Sequence, residues 1–290
     1  MTYNIVPSGG SPLPAKRAFK PANLDLKQNS ASSSIRTIPE LIEYNTKVNS
    51  DALYCVQALK PQDEETGRAS QVTMRQLRNA IWRCSGDLRG WLIGLDDSSS
   101  SNEGQNHVKP DPVALLLDSD IGLVIHLFSL LSLGVPAVLL SPRLNPASTQ
   151  HLLTTLKAQA VITSPRHVGT VKAAFESTSL EYGRGGTKIQ IAISFKDYLY
   201  EREEHKAIPA DTTICGPRHF LSDSDRNVII LHTSGTTGLP KPIHQPHKML
   251  LGYACCHRPT KIEDVEGLNL SMLPLYHVSH QDCSDEIDQK

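Results

Sequence analysis

Between Val113 and Ser141 the chain reads VALLLDSDIGLVIHLFSLLSLGVPAVLLS, and this stretch limits the fold tightly. From Ile121 to Pro142 it holds no Asp, Glu, Lys or Arg, which is long and apolar enough to suggest a membrane span. Its internal punctuation argues otherwise. His126, Gly134 and Pro136 interrupt the run, and Gly134 and Pro136 are helix-ending signals. We read a buried strand at Val113–Asp118, a helix over IGLVIHLFSLLSL and a second buried strand at Pro136–Ser141. Strands that appear as continuous apolar runs are covered on both faces, as in parallel sheets joined by crossover helices. A βαβ unit is expected here, not a membrane span.

The neighbouring segments extend the pattern. NPASTQHLLTTLKA reads as a helix, AVITSP (Ala160–Pro165) as a short buried strand, and KIQIAIS and NVIILHT (Asn227–Thr233) as further strands. Upstream, IRTIPELIEYNTKV starts an amphipathic helix after Pro39, with Leu41, Ile42 and Tyr44 as its apolar members. ALYCVQAL (Ala52–Leu59) alternates as a strand does. QVTMRQLRNAIWRCSGDLRGWLIGL then puts Met74, Leu77, Ile81, Cys84 and Leu88 at helical spacing, with Thr73 as N-cap. Strands alternating with helices imply an α/β fold, a mostly parallel sheet flanked by helices. Residues 1–34, rich in Ser, Pro and Asn, read as a flexible arm, and DDSSSSNEGQNHVKPD as a solvated loop.

Composition excludes several classes. A formal net charge of -1 without any Lys/Arg-rich block leaves no basic stripe for nucleic acid. The N-terminus lacks the apolar core of a secretory signal. Cys55, Cys84, Cys215, Cys255, Cys256 and Cys283 form no Cys-x-x-Cys pair, so neither a disulfide framework nor a metal site is expected. Reduced thiols in the cytoplasm are the expectation.

The chemistry-bearing stretch is LHTSGTTGLPKPI, Leu231 to Ile243. Gly235 and Gly238 permit close backbone approach to a ligand. Thr233, Ser234, Thr236 and Thr237 add hydroxyls beside exposed amides, a nest for an anion, and Lys241 supplies a positive charge at the far end. It is not a Walker loop, which places Lys-Ser/Thr directly after glycine and enters a helix. Here Pro242 follows the lysine and suits an extended return segment. The expected geometry is strand, hairpin, strand. The next helix is expected at PHKMLLGYA, with Pro246 in its first turn. His232, His244 and His247 surround the loop without metal-ligand spacing.

TSGTTGLPK followed by an apolar neighbourhood resembles the phosphate-loop signature of adenylate-forming enzymes: acyl-CoA synthetases, luciferases and adenylation domains of nonribosomal peptide synthetases (NRPS). Pro242, in the context LHTSGTTGLPKPIHQPHKMLLGYA, is similar to the fungal NRPS-like carboxylic acid reductases, and the likeness runs from about Ile35 to His277. It implies the N-terminal part of an adenylation (AMP-binding) domain over 35–280. It also implies ATP, Mg²⁺, a carboxylic acid substrate, and CoA or a carrier-protein phosphopantetheine arm as acyl acceptor. Thr233, Ser234, Gly235, Thr236, Thr237, Gly238 and Lys241 fall on the family's nucleotide-binding loop. LPLYHVSH (Leu273–His280) resembles its acyl-pocket segment, with His277 on the family histidine. The family's substrate-ammonium Asp has no counterpart nearby, which implies an aryl or fatty acid.

The chain departs from the family at its far end. His280 stands where a glycine is expected, and QDCSDEIDQK, including the acidic tail 281–290, has no apolar periodicity. The family's later motifs, its ribose-binding Asp and its C-terminal lysine have no counterpart in this sequence. The expectation is a truncated domain, about its first half, that does not complete adenylation alone and whose open sheet edge brings marginal solubility or association with another chain. The alternative is an incompetent remnant that binds a nucleotide or a partner weakly.

Overall fold

The computed structural model describes residues 35–58, 69–96, 110–158, 160–176, 187–200, 212–215, 227–234 and 238–256, with single positions at 22 and 208. In chain order the elements are α1 (Ile38–Val48), β1 (Leu53–Ala58), β2 (Ala69–Thr73), α2 (Met74–Asp96), β3 (Val113–Leu116), α3 (Ile121–Ser132) and β4 (Ala137–Leu139). There follow α4 (Pro146–Thr155), β5 (Ala160–Thr163), α5 (Val168–Glu176), β6 (Lys188–Ile191), α6 (Phe195–Leu199), β7 (Asn227–His232), β8 (Pro242–Pro246) and α7 (His247–Cys256). The expected arm over 1–34 (Ala22 apart), most of the loop after Asp96, His277 and the acidic tail lie outside the described residues.

The βαβ unit forms as its sequence demands. β3 and β4 are parallel neighbours, with Val113 opposite Ala137 and Leu115 opposite Leu139. Between them α3 ends in a Schellman arrangement. The Gly134 amide donates to the Leu131 carbonyl at 3.1 Å and the Val135 amide to the Leu130 carbonyl at 2.9 Å. Gly134 sits at φ 73°, where a side chain would be strained. This stop, followed by Pro136, turns one long apolar run into helix and strand. Among the described residues no helix is long and apolar enough to cross a membrane.

Among the described residues the main sheet has six strands in the order β6-β5-β3-β4-β7-β8, parallel from β6 to β7, with β8 antiparallel at the edge. Alternate residues serve two cores. Val113, Leu115, Ala137, Leu139, Ala160, Ile162, Ile229 and Leu231 face the layer of α1, α2, α3 and α6. Ala114, Leu116, Val138, Val161 and Ile230 face α4 and α5. The first layer includes Leu77, Ile81, Cys84 and Leu88 of α2, while Met74 is only half-buried. In α1, Ile42 is buried and Leu41 and Tyr44 are partly covered.

Two local features differ from the sequence reading. ASQVT is a strand, β2, paired antiparallel with β1, and only after it does α2 begin. Thr73 nonetheless caps α2: its Oγ1 accepts from the Gln76 amide at 3.3 Å, and Gln76 Oε1 accepts from the Thr73 amide at 2.9 Å. Pro246 is the last residue of β8, opposite Asn227, and the helix starts one residue later. Having no N–H, proline is tolerated on such an edge strand.

Candidate functional site

In a parallel sheet every strand ends on one edge, where ligands of open α/β folds bind. The first place to look is the N-terminus of α3, immediately after β3. It is closed by the chain itself. Asp120 Oδ1 accepts from the amides of Gly122 at 2.8 Å and Leu123 at 3.3 Å, and Gln57 Oε1 accepts from Ile121 at 3.0 Å. A carboxylate therefore stands where an anionic ligand would. Gly122 makes this fit possible, because a Cβ there would lie 2.9 Å from Asp120 Oδ1 and 3.5 Å from Phe195 Cβ. Asp118, just before this cap, pairs with Arg166 at 3.2 Å and His167 at 3.1 Å.

The end of β7 is arranged differently. β7 and β8 form the expected hairpin, with Leu231 opposite Ile243 and His232 opposite Pro242. Two bonds close the neck of the loop: the Thr233 amide donates to the Lys241 carbonyl, and the Lys241 amide donates to Thr233 Oγ1, both at 3.0 Å. Beyond the neck, Ser234, Gly238 and Lys241 are exposed, as is Leu239 at 54%. Gly238 has φ 156°, a backbone conformation L side chains rarely adopt. Lys241 thus carries its ammonium from a fixed backbone into solvent. The Thr233 hydroxyl, already accepting one bond, keeps its own proton to donate. The structure brings Thr233 and Lys241 together; Gly235, Thr236, Thr237 and His277 lie outside the described residues.

His232 is a residue that the sequence reading did not place in the site. The residue is buried, at 8% exposure. Nε2 accepts from the Ser141 amide at 3.1 Å, and Nδ1 lies 2.9 Å from the Thr233 carbonyl. An amide can only donate, so Nε2 is unprotonated and Nδ1–H donates to Thr233. No spacing rule reveals this link, since Ser141 is 91 residues away. The other two histidines around the loop go elsewhere: His247 Nδ1 accepts from the Ile38 amide at 3.4 Å, and His244 is exposed.

Buried titratable groups in the α2–α3 layer have structural surroundings. Burial pushes the Cys84 thiol up to about 12 and the Cys55 thiol up to about 11, which keeps both protonated and unreactive. Burial lowers the pKa of His126, whose Nδ1–H donates to the Gly122 carbonyl at 2.8 Å and whose ring meets Tyr198 edge-on at 5.8 Å.

A family model described as AMP-binding enzyme matches residues 104–283, a stretch that contains the β7–β8 loop. The chain belongs to the AMP-binding enzyme family. An adenylate-forming reductase from Aspergillus terreus is 38% identical over 89% of this chain and 24% of its own length. The non-canonical non-ribosomal peptide synthetase ascB of Acremonium egyptiacum is 34% identical over 84% of this chain and 20% of its own. The chain therefore spans a quarter or less of these relatives. Among solved structures, the anthranilate CoA ligase AuaEII in complex with anthranoyl-AMP has the same fold at TM-score 0.51 and 18% identity, covering 76% of this chain and 36% of that one. The N-terminal domain of FACL13 from Mycobacterium tuberculosis gives 0.50 at 20% identity, covering 75% and 46%. For this member of the AMP-binding enzyme family the mostly parallel α/β sheet is thus the family's architecture.

Proposed function

We propose that this chain supplies the phosphate-binding part of an acid-activating domain. In that reaction a carboxylate oxygen bonds to the α-phosphorus of ATP, the bond to the bridging oxygen breaks, and pyrophosphate leaves from the acyl-adenylate. The acyl group then passes to a thiol, of CoA or of a carrier protein's phosphopantetheine arm. The observation that carries the reading is the loop neck, where Thr233 and Lys241 are bonded to each other and Lys241 is exposed. Donors fixed before the reaction stabilise the charge developing on pyrophosphate without reorganising. The adenylate-forming names of the relatives support the same chemistry.

On this reading Thr233, Ser234, Gly235, Thr236, Thr237, Gly238 and Lys241 contact the nucleotide, and His277 lines the pocket for an aryl or fatty acid. Residues 35–280 act as one partial adenylation unit in the cytoplasm, with a carrier protein or complementary chain as partner. Mg²⁺ would accompany the phosphates, since at nucleotide sites it is held by phosphate oxygens, waters and one or two carboxylates. When bound it neutralises phosphate charge.

Calorimetric titration of the purified chain with ATP and with pyrophosphate tests the proposal. Lys241→Ala is expected to weaken both by about tenfold, the loss of one charge-assisted contact. Equal affinity in the variant, or no binding by the unaltered chain, sinks the reading. ATP–pyrophosphate exchange with a panel of aryl, fatty and amino acids, run on the chain and on any longer polypeptide containing it, assigns the acid. Exchange driven by amino acids alone would refute the aryl or fatty class.

A further inference from the structure

We propose that His232 is a positioning residue for the phosphate loop: as the neutral Nδ1–H tautomer it ties the first residue of the loop to the end of β4. The ligand in this inference rests on the acid-activation reading, whereas the geometry does not.

The parallel ladder between β4 and β7 pairs Ala137 with Ile229 and Val138 with Ile230. Beyond those pairs the connection is made by a side chain, from His232 Nε2 to the Ser141 amide. The anchor is itself rigid. The preceding Leu140 amide donates to the Leu115 carbonyl at 2.9 Å, and Ser141 Oγ accepts from the Arg143 amide at 3.2 Å. The ring passes this rigidity on through Nδ1–H to the Thr233 carbonyl.

Each polar group of Thr233 then has a defined direction. Its amide donates to Lys241, its carbonyl accepts from His232, and its Oγ1 accepts from the Lys241 amide. The hydroxyl proton is the one donor left to turn toward a phosphate oxygen. Without the imidazole bridge the neck would keep its two internal bonds but swing relative to β4, carrying the Thr233 hydroxyl and the Lys241 ammonium with it. A ring protonated at Nε2 would meet the Ser141 amide donor to donor and could not make the bridge.

The test compares His232→Phe, which keeps a buried ring but no nitrogen, with His232→Gln, whose Oε1 reaches the place of Nε2 and accepts from Ser141. Binding of inorganic pyrophosphate is expected to fall about tenfold in His232→Phe and to recover in His232→Gln, the size of one lost buried hydrogen-bonding partner. In His232→Phe, amide hydrogen exchange is expected to rise selectively at Ser141, whose amide loses its acceptor, and to stay unchanged at Lys241, whose neck bond remains. Imidazole ¹⁵N spectra of the unaltered chain should show Nδ1 protonated and Nε2 bare. Unchanged binding in His232→Phe, exchange that rises uniformly along β4 and β7, or a protonated Nε2 each overturns the proposal. If His232→Phe fails to fold, the spectra and the binding of His232→Gln decide. If the unaltered chain binds no pyrophosphate, the acid-activation reading falls, while the tautomer and exchange results still judge the bridge.

Discussion

The ends of β3 and β7 lie on the same edge of one sheet but treat their polar groups in opposite ways. After β3 the chain enters α3, and Asp120 and Gln57 consume the amides that an anion would need. After β7 the chain returns as a hairpin whose neck is bonded internally, Thr233 to Lys241. The contrast follows from connection type. A crossover helix must have its first amides satisfied, and here Asp120 and Gln57 do so, which closes its end. A hairpin needs only register, which the β7–β8 pairing supplies. On the proposed reading the phosphate role falls to the loop and not to the N-terminus of α3.

Mutations can break or sharpen that contrast. The largest expected effect is at the centre: Leu115→Ala, in a fully buried β3 position, should cost about 2–5 kcal/mol in chemical denaturation. A cost below about 1 kcal/mol would mean that the two-faced core is not what holds the sheet. Asp120→Ala should cost about 0.5–2 kcal/mol by uncapping α3. Gly122→Ala should also destabilise, although glycine to alanine inside a helix normally helps by about 1 kcal/mol, because the new methyl collides with the capping carboxylate. A stabilised Gly122→Ala would show that the cap yields.

A pH prediction comes next in size. His126 is folded in with a pKa below its ordinary 6.5. Its contribution is therefore complete above pH 6.5, and stability falls as pH drops through that value toward the lower folded one, where the unfolded chain binds the extra proton. Thermal unfolding followed between pH 7.5 and 5 should show this decline, and His126→Leu should flatten it; an equal slope in both proteins would refute it. The smallest effects belong to the loop. Leu239→Ser and Lys241→Ala, at exposed positions, should each change stability by less than about 0.5 kcal/mol. A larger loss would make the loop part of the core and erase the contrast.

Much of the sheet was legible because its strands are unbroken apolar runs. VALLLD, PAVLLS, AVITSP and NVIILHT all became parallel strands of one sheet, and Pro242 marked the return strand of the hairpin. β2 escaped because ASQVT is short, polar and abuts a strong helix, so its pairing with β1 depends on a partner rather than on its own pattern. Within the candidate site, the hydroxyls, glycines and Lys241 were visible as a local string. His232 looked like one of three nearby histidines, and its role appears only when Ser141 is brought beside it.

By itself the sequence determined what depends on neighbours along the chain: which segments other than β2 are helix or strand, where Gly134 stops α3, that Thr73 caps α2, and which residues crowd the loop. These are short-range effects of sterics, periodicity and capping. The tertiary structure decided what depends on distant partners: the strand order, the sealing of α3 by Gln57, 64 residues from the amide it caps, and the attachment of the loop to β4 through His232. Packing of two apolar faces sets the strand order, and a hydrogen bond between remote residues has no periodic trace in the sequence.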